Sequence, residues 1–375
     1  ARYKERQGKL KSHGKMYHAY QFKITALTEI FSDLKNHSDN REDIIFNVNG
    51  CIEILKDYNI RNGDRVVYKG KNSVEWLSWN LATYSLGGIW VPMYEQQELD
   101  HCNHIVKDSG SKLLITDQDI KLDYVNIISN KFDPIKNVID YDINNNELCN
   151  LIYTSGTTGK PKGVKLSHEN ILSNIDTIHN RFNDIPTNIT SLNILPWAHI
   201  YGLSCELYYN LLNENSVALC TNKSKFVEEC KEVNPEVLYV VPKVLETVKN
   251  KVEILDKPLL RLIIPFILNK LFGGNLQNIF SGGAKLDRLT RDFYERNNIP
   301  ICEGYGCSEL SPMVSVNHLR DPREINSIGK ILDNVDVKII PKFKVTSLDL
   351  PSVNTNMFSD NIFYNEEYNH DIDSD

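Results

Sequence analysis

Leu151-Ile152-Tyr153-Thr154-Ser155-Gly156-Thr157-Thr158-Gly159-Lys160-Pro161-Lys162-Gly163 is the stretch around which the rest of the chain is organised. Leu151, Ile152 and Tyr153 are apolar or β-favouring and lead directly into hydroxyls, glycines and lysines, the pattern of a buried strand ending in an anion-binding loop. The three glycines permit positive φ, so that successive backbone N–H groups can converge on one oxyanion. Thr154, Ser155, Thr157 and Thr158 add hydroxyl donors, and Lys160 and Lys162 add positive charge. Phosphate is the ligand that uses so many donors at once. The P-loop motif of NTPases is excluded, because Gly156 and Gly159 lie too close together and Pro161 stands where Ser or Thr should follow the lysine.

Outside this stretch the chain sets broad limits. Its 375 residues allow one large or two ordinary cores. A net charge of -7 without a basic arm gives no general pull toward nucleic acid, and none is expected as a partner. The eight cysteines are scattered with no Cys-x-x-Cys pair, as in proteins kept reduced, so the expected location is intracellular, either cytoplasmic or peripheral on a membrane. His101 and His104 read as a solvated helix face, not as metal ligands. The most apolar run, 259–272, is interrupted by Arg261, Pro265, Asn269 and Lys270 and is too short to span a bilayer. It fits a partly buried helix, with contact at a membrane surface as the alternative. The chain begins at Ala1, which reads as a piece of something longer, and no targeting segment is visible in it.

Taken in order, residues 1–43 read as an entry arm with a helix near 26–35. Apolar spacing then predicts a helix over 47–58, a strand over 65–68, a helix capped by Ser73, a strand at 89–91, a helix over 99–107 ending toward Gly110, and a strand over 112–116. A polar, Asn-rich passage from 117 to 150 leads to the phosphate loop. Beyond it come a helix from His168 capped by Ser167, a strand over 193–195, a helix over 203–212 and strands at 217–219 and 237–240, with helices over 225–233 and 242–252. Another strand over 278–280, a helix over 286–297 and the strand Ile301-Cys302 follow, then a β-rich segment over 335–340. Alternating helix and strand is the grammar of a parallel sheet wrapped by helices. The expected fold is therefore α/β, with two stacked, mostly parallel sheets over residues 44–340, one before and one after the phosphate loop. Residues 341–375 are rich in Asn, Asp and Ser and read as an acidic tail or insertion without fixed structure.

The run 153–163 resembles, residue for residue, the phosphate-binding signature of the adenylate-forming superfamily, which includes acyl-CoA synthetases, luciferases and peptide-synthetase adenylation domains. Further resemblance lies in Gly63-Asp64-Arg65-Val66, in Asn72-Ser73-x-Glu75-Trp76, and in Gly87-Gly88-x-x-Val91-Pro92-x-Tyr94-Glu95, the last most like the long-chain fatty acid branch. Pro196-Trp197-Ala198-His199-Ile200-Tyr201-Gly202, Ser281-Gly282-Gly283-Ala284 and Glu303-Gly304-Tyr305-Gly306-Cys307-Ser308-Glu309 complete the set.

The resemblance implies two steps: a carboxylate and ATP give an acyl-adenylate and pyrophosphate, and the thiol of coenzyme A then displaces AMP. It implies that Thr154, Ser155, Gly156, Thr157, Thr158, Gly159 and Lys160 hold phosphate, that Lys162, His199, Ser308 and Glu309 serve catalysis, and that Glu309 and Thr157 meet Mg2+. Tyr305 would stack on adenine, with Gly282, Gly283, Ala284, Glu303, Gly304 and Gly306 forming the rest of the nucleotide wall. The expected substrate is a fatty acid.

Three departures are visible. Ser308 replaces the usual Thr but keeps its hydroxyl; no Thr-Gly-Asp follows Gly329-Lys330, so the ribose-binding Asp and the small C-terminal domain with its lysine are missing; Leu203 stands where some long-chain enzymes carry a gating Trp. Another acid or acceptor, as in aryl-CoA ligases, and a non-catalytic acyl- or nucleotide-binding protein remain as alternatives.

Overall fold

The computed structural model describes residues 41–136, 147–154, 160–253, 261–299, 301–321 and 327–339. The helix expected near 26–35, most of the entry arm, loop residues 155–159 and the acidic tail lie outside them. The described residues through Val335 belong to one compact unit, and 336–339 fall outside it.

In the first half, α1 (Arg41–Asp57), β1 (Arg65–Lys69), α2 (Val74–Ser85), β2 (Ile89–Met93), α3 (Leu99–Ser109), β3 (Leu113–Thr116) and β4 (Asn126–Ile128) alternate as the apolar spacing requires. Ser73 caps α2 by accepting from the Trp76 N–H, a contact worth about 1 kcal/mol. Gly110 ends α3 in the left-handed conformation. With β5 (Leu148–Thr154) and β6 (Lys162–Ser167) these strands form a sheet in the order β4-β3-β1-β2-β5-β6. All neighbours are parallel except β5 and β6.

Two readings are corrected here. The polar, Asn-rich passage 117–150, for which the sequence shows no strand, holds β4 and the start of β5; three residues of Asn-Ile-Ile are too short to show a period. The lysine-bearing end of the phosphate motif is itself a strand: Lys162 begins β6 and pairs antiparallel with Thr154 of β5. β6 escaped detection because Leu166 is its one buried residue.

The second half begins with α4 (His168–Arg181), whose capping box joins Ser167 and Asn170 and whose Ile171, Ile175 and Ile178 enter the core. After it come β7 (Thr190–Asn193), a π-helical segment (Tyr201–Tyr208) running into α5 (Tyr209–Leu212), β8 (Ser216–Leu219), α6 (Phe226–Val233), β9 (Val237–Val240), α7 (Pro242–Glu253), α8 (Ile264–Leu271), β10 (Asn278–Ser281), α9 (Arg288–Arg296), β11 (Ile301–Gly306), β12 (Met313–Val316) and β13 (Lys330–Ile331). The second sheet has the order β13-β12-β11-β10-β9-β7-β8, parallel from β11 to β8 and antiparallel at β12 and β13.

Three further corrections fall here. The strand expected over 193–195 ends at Asn193, because Leu195 already belongs to a hydrogen-bonded turn. The helix expected over 203–212 opens with wider π turns, which apolar spacing alone does not reveal. The β-rich 335–340 carries no strand over 335–339, the last strand among the described residues being β13.

One hydrophobic cluster spans both sheets. Within it Trp76 of α2 meets Trp90 of β2 at 5.2 Å and Trp197 of the second half at 5.3 Å between ring centroids, both edge-on. Buried hydroxyls and amides add a polar link: Asn150 donates to the Tyr84 hydroxyl (2.6 Å), which pairs with Tyr208 (2.8 Å), which donates to Asn80 (2.8 Å). A second cluster, on α6 to α9, supports the other face of the second sheet.

Candidate active site

Parallel strands of an open α/β sheet leave their ligands at the carboxyl edge, and some of the residues singled out in the sequence line a cavity there. A cavity of about 250 Å³ is lined by Thr154 from the end of β5, by His199 and Tyr201 after β7, by residues 281–283 after β10, by 304–306 at the end of β11, and by Ser308 and Glu309. Cys205, Phe280, Met313 and Val316 form its apolar wall.

The hairpin arms that flank the phosphate loop are braced from α3. The Tyr153 hydroxyl donates to Asp108 (2.7 Å), and His104 Nε2 donates to the Pro161 carbonyl (2.9 Å). His104 is therefore a support for the loop and not a purely solvated side chain, a role that one histidine on a polar helix face does not announce. Lys160 and Lys162 are both exposed. Residues 155–159, and with them Ser155, Gly156, Thr157, Thr158 and Gly159, fall outside the described residues.

His199 follows a turn locked from both sheets. The Asn72 amide donates to Asn193 Oδ1 and to the Leu195 carbonyl, both at 2.7 Å, and its oxygen accepts from the Trp197 N–H (3.0 Å). Asn193 in turn donates to the Leu195 carbonyl (2.9 Å) and to Glu206 Oε2 (2.5 Å). Gly202 lets the π segment start against this turn, since a Cβ there would lie 2.6 Å from the Pro196 carbonyl oxygen. His199 Nδ1 accepts from the Tyr201 N–H (3.2 Å), so the neutral ring carries its proton on Nε2 and can donate to a substrate oxygen. Burial pushes the imidazole pKa down, which keeps that neutral form at physiological pH.

Glu206 was not foreseen. It is fully buried, its Oε1 has no hydrogen-bond partner, and burial raises its pKa well above the carboxylate range while the Asn193 hydrogen bond opposes this. One acid inside the apolar run 203–209 is the signal that could have revealed it.

The turn bearing Ser308 and Glu309 is tied back at several points. Cys307 N–H donates to the Pro312 carbonyl (2.9 Å), Ser204 Oγ to the Ser311 carbonyl (2.9 Å), and the Asn174 amide to the Met313 carbonyl (2.9 Å). Gly306 is required by space, because a Cβ would fall on the Pro312 carbonyl. Ser308 is buried and Glu309 exposed. Burial, and then the neighbouring Glu309 charge, push the Cys307 thiol up to about 11, so it stays protonated.

Four described residues of the expected site stand apart from the cavity lining: Lys160 and Lys162 are exposed outside it, Glu303 is directed to Arg291 of α9 (3.7 Å), and Ala284 lies just past Gly283 at an exposed position. Among the described residues no cluster of three His, Cys, Asp or Glu side chains could hold a metal alone. One open carboxylate, Glu309, suits a Mg2+ that arrives with phosphates and keeps most of its ligands from them and from water.

Such a cavity, at the carboxyl edges of two mostly parallel sheets, is the ligand position expected of an α/β domain. The chain belongs to the AMP-binding enzyme family, whose sequence model matches residues 47–342. It is 27% identical over 325 residues to a probable CoA ligase of Humulus lupulus, covering 78% of this chain and 57% of that protein. It is 24% identical over 340 residues to a long-chain-fatty-acid–CoA ligase of Homo sapiens (70% and 50% covered). A 4-coumarate–CoA ligase-like protein of Arabidopsis thaliana is 26% identical over 330 residues (80% and 58% covered).

The fold matches ATP-bound MatB from Rhodopseudomonas palustris with a TM-score of 0.66 at 22% identity, covering 82% of this chain and 64% of that one. It also matches the N-terminal domain of FACL13 from Mycobacterium tuberculosis with a TM-score of 0.61 at 20% identity (74% and 71% covered). The chain spans about half the length of the curated relatives it matches. Among the described residues no helix is long and apolar enough to cross a membrane.

Proposed function

We propose that this domain binds ATP and a fatty acid and serves an enzyme that joins them as an acyl-adenylate, from which coenzyme A takes the acyl group as a thioester. One observation carries the reading: Thr154, His199, Ser308 and Glu309, drawn from segments far apart in sequence, open on one cavity. Relatives named as fatty-acid–CoA ligases support the substrate class.

The chemistry requires two anions, a carboxylate and a triphosphate, to meet. The hairpin loop with Lys160 and Lys162 would receive the β- and γ-phosphates, and Glu309 would hold the Mg2+ that offsets their charge. Ser308 Oγ and His199 Nε2–H would donate to oxygens at the reacting phosphate. No general base is needed, since the carboxylate is already ionised at neutral pH. Tyr305, at the open end of β11, would cover the purine. The apolar wall of Cys205, Phe280, Met313 and Val316 would receive the acyl chain.

An aryl acid is the second reading, favoured by the rings of Tyr201 and Phe280 in the wall and by the coumarate-ligase-like relative. Acid-dependent exchange of pyrophosphate into ATP, measured with the protein at its full natural length, tests both. Exchange that rises along a fatty-acid series supports the first reading, and exchange with coumarate alone supports the second. Unchanged exchange in both Lys162→Ala and Glu309→Gln would remove the adenylation assignment altogether.

A further inference from the structure

We propose that the outer face of α8 docks on the surface of an anionic phospholipid bilayer. This goes beyond the reading of the cleft and stands without it. The helix and the 3₁₀ turn before it, Arg261–Ile263, have two apolar faces instead of one. Ile264 and Leu268 point inward and join the second core. On the outside, Leu262 is 89% exposed, Ile263 46% and Phe266 61%. Leu262, Phe266 and Lys270 are spaced one helical turn apart and so share a line. A helix that meets only water on its outer side carries polar residues there.

The charges on this segment indicate the occupant. From 261 to 274 the charged residues are Arg261, which already interacts within the chain, and Lys270, with no acid, in a chain whose net charge is -7. The Lys270 ammonium lies 4.6 Å from the centre of the Phe266 ring. Its four-carbon stem lets the ammonium remain at headgroup depth while the ring sinks beneath it. An apolar stripe bordered by cations and lying parallel to the surface is the arrangement by which short helices hold to anionic lipid. A second copy suits the face less well. Two-fold pairing would set the basic residues of one copy against those of the other, and three side chains fall far short of the roughly twenty residues a side that a stable dimer buries.

Sedimentation of the chain with vesicles tests the proposal without nucleotide or acid, so its failure leaves the cleft reading untouched. Vesicles of phosphatidylcholine with about a third phosphatidylserine should carry the protein down at low salt, and less of it at high salt. Leu262→Glu with Phe266→Glu should lower the partition coefficient about tenfold or more, and Lys270→Glu about threefold with a weaker salt response. Unchanged circular-dichroism melting will show that these surface variants fold. Failure of the unaltered chain to sediment, or equal sedimentation of the double variant, overturns the proposal. A concentration-dependent dimer that the double variant abolishes and vesicles do not compete with also overturns it, and makes the face an interface between copies.

Discussion

The two sheets meet the cavity in different ways. From the first sheet, whose β5 and β6 pair antiparallel on either side of the glycine- and hydroxyl-rich sequence 155–159, Thr154 is the one cavity-lining residue among those described. The second approaches with side chains, placing His199, Ser308 and Glu309 on turns that are each tied down by several hydrogen bonds. The two ends of that first-sheet stretch are braced from α3 by Asp108, which accepts from the Tyr153 hydroxyl, and by His104, which donates to the Pro161 carbonyl. Buried polar contacts fix the second-sheet positions, as the proposed reaction at phosphorus would require.

That contrast can be broken from either side. Glu309→Gln keeps the shape of the second-sheet turn and removes its charge; pyrophosphate exchange should fall about a thousandfold, with folding unchanged. Lys162→Ala, on the first-sheet hairpin, should cost about a hundredfold, because backbone donors would remain to hold phosphate. Asn72→Ala severs the cross-sheet contact to the His199 turn without touching the cavity lining. It should lower kcat about tenfold while the KM for ATP changes little. A KM effect as large as the kcat effect would assign Asn72 to nucleotide binding instead.

Two pH-dependent predictions sharpen the comparison at lower cost to activity. His168 sits buried against Tyr84, and burial lowers its pKa from 6.5 to about 4. The folded state thus holds it neutral while the unfolded chain takes up a proton. The stability this contributes is present above pH 6.5 and is lost as pH falls toward 4, by roughly 3 kcal/mol in all. His168→Gln should flatten that part of a stability–pH curve from denaturant titrations. Glu206 has the opposite sign. Its raised pKa means that its contribution is present below the unfolded carboxylate range and declines as pH rises. Glu206→Gln should therefore melt above the unaltered protein at pH 7 and draw level with it near pH 4. The amide keeps an oxygen for Asn193, so activity should survive the change.

The sequence shows the first sheet's contribution better than the second's. Glycine spacing and β-branched runs announce β1, β2 and the phosphate loop, and Ser73 and Ser167 mark their helices through local capping chemistry that needs no partner elsewhere. Strand β6 hides because solvent on one side removes its apolar pattern, and β4 because it is three residues long. His199, Ser308 and Glu309 were visible as motif residues, whereas Asn72, Asn193 and Glu206 were not seen as one network. Their contacts join positions 121 and 13 residues apart, and only the tertiary fold creates them. The π turns are similarly unreadable, since all eight residues from Tyr201 to Tyr208 are buried and no side of the helix stands out.

The three indoles in edge-on contact give the domain an optical consequence. Of the four tryptophans in the chain, Trp76, Trp90 and Trp197 lie within energy-transfer range of one another, and the third belongs to the turn that precedes His199. A molecule entering beside that imidazole would disturb a chromophore whose indole N–H has no hydrogen-bond partner. Emission colour and lifetime thus supply an intrinsic, label-free gauge of occupancy, readable in a cuvette before any product is formed.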